Sequence, residues 1–184
     1  MIRAFAAIPV PPEIAAALAP IQARLPGGRP VAEEALHITL AFFGEHQSPV
    51  IEDLHYQLED IQAAPITLAL SGLGQFGSAS PRLIYAAVRP EPRLKALRDR
   101  VRRAADDAGI RLAREQFVPH VTLMRFSKSG LSGEEMVQLS AALAAHAGLA
   151  LGPWEAEAFI LYRSRLGRSG AAYEPLAEYP LSRS

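Results

Sequence analysis

The sequence contains no cysteine, which removes disulfides, thiolate nucleophiles and cysteine-based zinc sites together. It also lacks net charge, with 19 Lys and Arg residues against 19 Asp and Glu. A chain that grips long duplex nucleic acid by electrostatics is usually basic. Any nucleic acid handled here is therefore expected to be held over a small part, such as one terminus. No apolar run approaches the roughly 18 residues needed to span a bilayer. The opening run to Ile8 is short for a secretory signal and is broken by Pro9, Pro11 and Pro12, so a soluble cytoplasmic protein is expected. No His-Glu-x-x-His pattern occurs, and no carboxylate sits at metal-ligand spacing from the motifs described below. No metal and no other cofactor are expected.

What is present is an ordinary globular composition, 49% apolar over 184 residues, enough for one compact domain or two small lobes sharing a core. Alternation predicts strands over 3–8, 36–43, 66–72, 83–88, 118–126, 154–162 and 173–179. Helical spacing predicts a helix from Pro12 carrying Ile14, Leu18, Ile21 and Leu25, ended by Pro26-Gly27-Gly28. A second is expected over 48–62, with Ser48 as N-cap and Pro49 at the first helical position. A third over 92–108 buries Leu94, Leu97, Val101 and Ala105 and stops at Gly109. A fourth is expected over 132–146. The glycine-rich stretch 72–77 precedes a strand instead of opening a helix, so it reads as a hairpin connection and not a dinucleotide cradle. The segment 163–170 reads as a loop. Strands and helices mix without strict alternation, which favours α+β with antiparallel sheet.

Two tetrads organise the chain: His37-Ile38-Thr39-Leu40 and His120-Val121-Thr122-Leu123, separated by close to half its length. In a strand, side chains alternate between faces, so His37 and Thr39 share one face, as do His120 and Thr122, with the apolar partners on the other. Each half of the sequence places such a strand between helices, the pattern of a duplication with two lobes facing each other. Two imidazoles and two hydroxyls around one small anion form a proton-transfer site: histidine gives or takes a proton near neutral pH, and hydroxyl donors stabilise charge on phosphoryl oxygens. A cyclic phosphate ester needs both a base toward water and an acid toward the departing oxygen. By themselves the two tetrads leave open which histidine does which. His46, His55 and His146 lack the threonine partner and are expected to be structural. Phe5, Phe42, Phe76 and Tyr85 are candidates for stacking a terminal base. Arg163, Arg165 and Arg168 are candidates for RNA phosphates.

The run from Gly28 to Glu45 around the first tetrad and the run Phe117-Val118-Pro119-His120-Val121-Thr122-Leu123-Met124-Arg125 resemble the two motifs of the two-histidine phosphoesterase superfamily. More narrowly they are similar to the RNA 2′,3′-cyclic phosphodiesterases, also called LigT-like or 2′-5′ RNA ligases. The resemblance extends to the proline-rich N-terminal strand, to Gly74-Gln75-Phe76, to Leu161-Tyr162-Arg163-Ser164 and to the run from Gly170 to Leu176. It implies a single bilobal α+β domain over 1–184, with two pseudo-symmetric lobes of antiparallel sheet, helices packed outside and a central cleft. It further implies hydrolysis of RNA 2′,3′-cyclic phosphate ends to 2′-phosphate, with His120 as proton acceptor, His37 as proton donor, and Thr39, Thr122 and Arg125 holding the phosphate. The reverse reaction would be 2′-5′ ligation. The expected partner is an RNA or oligonucleotide with a cyclic phosphate terminus, and a monomer is expected. A non-catalytic RNA-end or nucleotide-binding module is the alternative. Many relatives have a basic residue or histidine where this chain has Val118, which removes one phosphate contact from expectation. Arg125 follows His120 by an odd number, so a regular strand would turn it away. Its role requires a bulge or strand end near Met124.

Overall fold

A computed structural model describes residues 1–77, 80–127, 130–167 and 170–182. Nine strands and four α-helices follow one another as β1 (Ile2–Pro9), α1 (Pro12–Gln22), β2 (Arg29–Pro30), β3 (His37–His46), α2 (Ser48–Glu59), β4 (Ile66–Phe76), β5 (Leu83–Val88), α3 (Pro92–Asp107), β6 (His120–Arg125), α4 (Gly133–Ala145), β7 (Ala150–Ala156), β8 (Ala158–Gly167) and β9 (Gly170–Pro180), with a short 3-10 turn at Glu33–Ala35. The strands form one antiparallel sheet in the order β7-β4-β5-β6-β3-β1-β8-β9, with β2 alongside β6. No helix among the described residues is long and apolar enough to cross a membrane.

The α+β class and the antiparallel pairing are as the sequence implies, and two strands carrying the tetrads lie next to each other at the centre. They meet at the single register pair Ile38–Val121. An antiparallel pair has a local two-fold axis through its register pair, so His37 falls beside Thr122 and Thr39 beside His120. On either side the sheet repeats itself: β3, β1, β8, β9 in one direction and β6, β5, β4, β7 in the other. The lobes are not the two halves of the chain, however. The middle of the sequence builds one lobe, and the two ends together build the other.

Two helices cross this division: α1, from the N-terminal part, packs on β6 and β7, and α3, from the middle, packs on β3, whereas α2 packs on β1 and β9 and α4 on β4. Ile38, Leu40, Val121 and Leu123 join Leu18, Ile21, Leu54, Leu94 and Leu97 in one continuous buried cluster, leaving the histidine face free. At the end of α3, Gly109 takes φ +80°. Its N–H bonds the Asp106 carbonyl and that of Ile110 bonds Ala105, the paired C-terminal closure that glycine permits.

Several boundaries move. Gln47, not Ser48, is the N-cap of α2, with Ser48 already inside the helix and no side-chain cap. Residues 72–76 of the glycine-rich stretch are part of β4 itself, so of that stretch only Gly77 belongs to the connection to β5. The expected strand 154–162 is two strands broken at Glu157: β7 pairs with β4 and β8 with β1. Of the expected loop 163–170, residues 163–167 and Gly170 continue the β8–β9 ladder, with Gly167 opposite Gly170. Periodicity within a segment does not reveal a change of pairing partner, which is a long-range event.

Candidate active site

In β6, Ile84 pairs with Met124 while Tyr85 pairs with Thr122, so Leu123 is an extra residue. In β3, Ala6 pairs with Ala41 while Ala7 pairs with Thr39, so Leu40 is an extra residue too. The fourth residue of each tetrad is thus a β-bulge, and each strand there has two consecutive buried residues, Leu40-Ala41 and Leu123-Met124. A bulge shifts the two-residue alternation by one. The fifth residue after each histidine therefore rejoins the histidine face. That residue is Arg125 in one strand and Phe42 in the other.

The face opens on a cavity of about 790 Å³ whose walls include His37, Thr39, Phe42, Arg3, Arg29 and Arg125. No carboxylate lines it among the described residues, although the chain as a whole is uncharged. His120 and Thr122 lie beyond its wall, on the neighbouring strand across the Ile38–Val121 seam. Arg125 lines the cavity and acts electrostatically on both His37 and His120. Its position meets the requirement set by its odd spacing.

Each imidazole is held the same way. His37 Nδ1–H donates to the Ala35 carbonyl at 2.7 Å, and His120 Nδ1–H donates to the Val118 carbonyl at 2.6 Å. A carbonyl can only accept, so the proton of the neutral ring sits on Nδ1 and Nε2 keeps its lone pair. Each ring is also flanked by two aromatics. Phe5 and Tyr173 lie with centroids 5.0 and 5.2 Å from His37, and Phe76 and Tyr85 lie 5.0 and 5.2 Å from His120. Tyr85 reaches this position across Gly74, where a Cβ would come within 2.4 Å of its ring.

These surroundings set the charge state. Burial among rings lowers the His37 pKa from 6.5 to about 4, the Ala35 carbonyl partly opposes this, and Arg125 and His120 add to the lowering. His120 is lowered for the same first reason, opposed by the Val118 carbonyl and reinforced by Arg125. With both values lowered from 6.5, both imidazoles are neutral at neutral pH.

The other sequence candidates separate cleanly. Phe5 is buried against His37, and Phe76 and Tyr85 pack on His120, whereas Phe42 is 45% exposed within the cavity wall. His46 bonds the Phe43 carbonyl, His55 bonds the Tyr179 hydroxyl and His146 bonds the Ala142 carbonyl; none lines the cavity. Arg165 is paired with Glu174 at 2.7 Å, Arg163 lies in β8 outside the cavity lining, and Arg168 lies outside the described residues. In their place the structure supplies Arg3, whose guanidinium lies 4.7 Å from the Phe42 ring centroid, together with Arg29. Tyr173 was also missed. Aligning the two tetrads residue by residue pairs Phe42 with Arg125, which singles Phe42 out of the four aromatic candidates.

Two His-Thr pairs thus lie side by side on adjacent strands between pseudo-symmetric antiparallel lobes, with an arginine-lined cavity on the His37 side, an arrangement suited to a phosphate ester. The sequence profile of the 2′-5′ RNA ligase superfamily matches residues 10–165, and the chain belongs to that family. An RNA 2′,3′-cyclic phosphodiesterase of Aeropyrum pernix is 32% identical over 150 residues, 80% of this chain and 83% of that protein. The RNA 2′,3′-cyclic phosphodiesterase of Geobacillus stearothermophilus is 34% identical over 154 residues; the match takes in 82% of this chain but only 47% of that protein. The crystal structure of Escherichia coli LigT complexed with 3′-AMP superposes with a TM-score of 0.79 at 28% identity, covering 99% of each chain. By this kinship the chain is an enzyme of the phosphoric diester hydrolase class.

Proposed function

We propose that the chain hydrolyses 2′,3′-cyclic phosphate ends of RNA or short oligonucleotides to 2′-phosphates by histidine–histidine acid–base chemistry. The observation that carries this reading is the matched presentation of two Nε2 lone pairs, each fixed by an Nδ1–H bond to a backbone carbonyl, beside one arginine that acts on both rings. His120 takes the proton from water as it attacks phosphorus. His37 delivers a proton to the departing 3′ oxygen, so the P–O3′ bond breaks and the phosphate stays on O2′. Thr39, Thr122 and Arg125 hold the non-bridging oxygens, where donors stabilise the developing charge. The same site, run backwards, joins a 5′-hydroxyl to a cyclic phosphate through a 2′-5′ bond. Every group named comes from one chain, so the proposed active unit is a monomer.

A donor must carry a proton, and His37 by itself does not hold one at neutral pH. The substrate supplies the change: a phosphodiester brings a negative charge next to the ring and offsets Arg125, and an opposite charge within a few ångströms favours the protonated form. Phe42, the exposed ring of the four aromatic candidates and backed by the Arg3 guanidinium, carries the terminal base by stacking.

The test is an oligonucleotide ending in a 2′,3′-cyclic phosphate, incubated with the protein and excess chelator, with the product identified by chromatography against 2′- and 3′-phosphate standards. A 2′-phosphate is expected. A 3′-phosphate reverses the acid and base assignment, loss of turnover with chelator indicates a metal enzyme, and tight binding without turnover indicates an RNA-end binding module.

A further inference from the structure

A bulge is useful only if it stays where it is. Leu123 is opposite no residue of β5, so its backbone needs partners from elsewhere. Its carbonyl finds two. Val31, just after β2, donates its N–H at 2.9 Å, and the Gln22 side-chain amide on α1 donates at 2.8 Å across 101 residues of sequence. The same Nε2 donates its other proton to the Val31 carbonyl at 2.9 Å. Gln22 is 7% exposed, one of two buried polar or charged side chains among the described residues. In α1 it follows Leu18 by four residues and so shares the core-facing side of the helix. β2 in turn pairs Arg29 with Arg125 and Pro30 with Met124, so this amide ties together α1, the β2 segment and the bulge of β6.

We infer that Gln22 is a positioning residue for the phosphate site: it locks the Leu123 bulge, and through that bulge it keeps Arg125 on the same face as His120 and Thr122. This rests on the phosphate-holding role proposed above for Arg125. Without the amide, the Leu123 carbonyl keeps only the Val31 N–H and the part-buried Val31 carbonyl loses the Gln22 donor, and hydrogen bonds lost from such groups are costly. The strand relieves this by sliding toward regular pairing with β5, which turns Arg125 toward the helices. The bulge of β3 at Leu40 presents Phe42, which has no charge to aim, and the amide protons of Gln22 both go to the β6 side, to Val31 and Leu123.

The experiment compares Gln22→Met, which fills the same space without donors, with Arg125→Met and the double variant. Three quantities are read: the dissociation constant of inorganic phosphate, kcat and KM on a cyclic-phosphate oligonucleotide, and thermal stability. Gln22→Met is expected to weaken phosphate binding and raise KM by about tenfold while changing kcat less. In the Arg125→Met background the same change is expected to cost little further, since residues acting through one another are not additive. Additive losses overturn the inference, as does Gln22→Met with wild-type phosphate affinity. If Gln22→Met does not fold, Gln22→Asn, too short to reach Leu123, takes its place under the same criteria. Phosphate binding is read without turnover. A wild-type chain that fails to open the cyclic phosphate therefore counts against the proposed function, while equal phosphate affinity in wild type and Arg125→Met counts against the clamp.

Discussion

At the scale of single residues, the proposed mechanism gives the two imidazoles opposite jobs in nearly identical settings. Replacing His37 or His120 with alanine is expected to lower kcat by roughly 100-fold or more, as general acid–base groups typically contribute, with circular dichroism unchanged. The depressed pKa values set the pH dependence. The productive form needs His37 protonated and His120 free, and His37 by itself protonates only near pH 4. As pH rises above the range where His37 holds a proton, kcat/KM is expected to fall by about tenfold per pH unit. Bound substrate raises the His37 pKa, so the corresponding fall in kcat lies at higher pH. Coincident limbs in the two profiles would remove His37 as the donor. Phe42→Leu is expected to raise KM by about 5- to 100-fold, the range of one lost base stack, and to leave inhibition by inorganic phosphate alone.

At the scale of elements, the feature that matters is the bulge at the fourth position of each tetrad. Deleting Leu123 removes the bulge and brings Arg125 to an even spacing from His120, so regular alternation keeps it on the histidine face. The deletion variant is therefore expected to lose the Gln22 anchor and some stability but to bind inorganic phosphate nearly as tightly as wild type, read by calorimetry. A deletion variant that loses phosphate affinity would show that the face on which Arg125 lies does not decide phosphate binding. For Arg125 the odd spacing already demands such an irregularity, so this part of the geometry is legible in the residues themselves. The matching bulge in β3 is not. Phe42 carries no chemical signal that requires it to face a cleft, and an aromatic residue in a strand reads equally well as core. The β7–β8 break at Glu157 is hidden for a related reason, since both sides of it carry the same apolar pattern.

At the scale of the whole molecule, the cleft couples charge to folding. His37 is more acidic in the folded chain than in the unfolded one, so on acidification the unfolded chain takes up its proton first. Stability is complete above the ordinary value of 6.5 and is lost as pH falls toward about 4, because the unfolded state binds more protons in that window. Urea midpoints are expected to drop across it for the wild type and to drop less for His37→Phe. Sulfate, which does not titrate there, opposes the loss by occupying the arginine-lined cavity. Its thermal stabilisation is expected to be larger at pH 5.5 than at pH 8, and an equal effect at both would mean that no proton is taken up with the anion.

The sequence alone determined what local chemistry can determine: strands and helices of the right kind, antiparallel α+β, two His-Thr strands with one polar face each, and an arginine that needs a bulge to reach them. These follow from side-chain periods of 2 and 3.6 residues, which are properties of the segment itself. Tertiary structure decided the rest. It exchanged strands between lobes, drew Arg3 and Arg29 into the cavity in place of the arginines of 163–168, and surrounded each histidine with two rings that depress its pKa. It also set Gln22 on a carbonyl 101 residues away. Pairing partners, bulge positions and desolvation depend on which distant segments meet, and no local pattern records that.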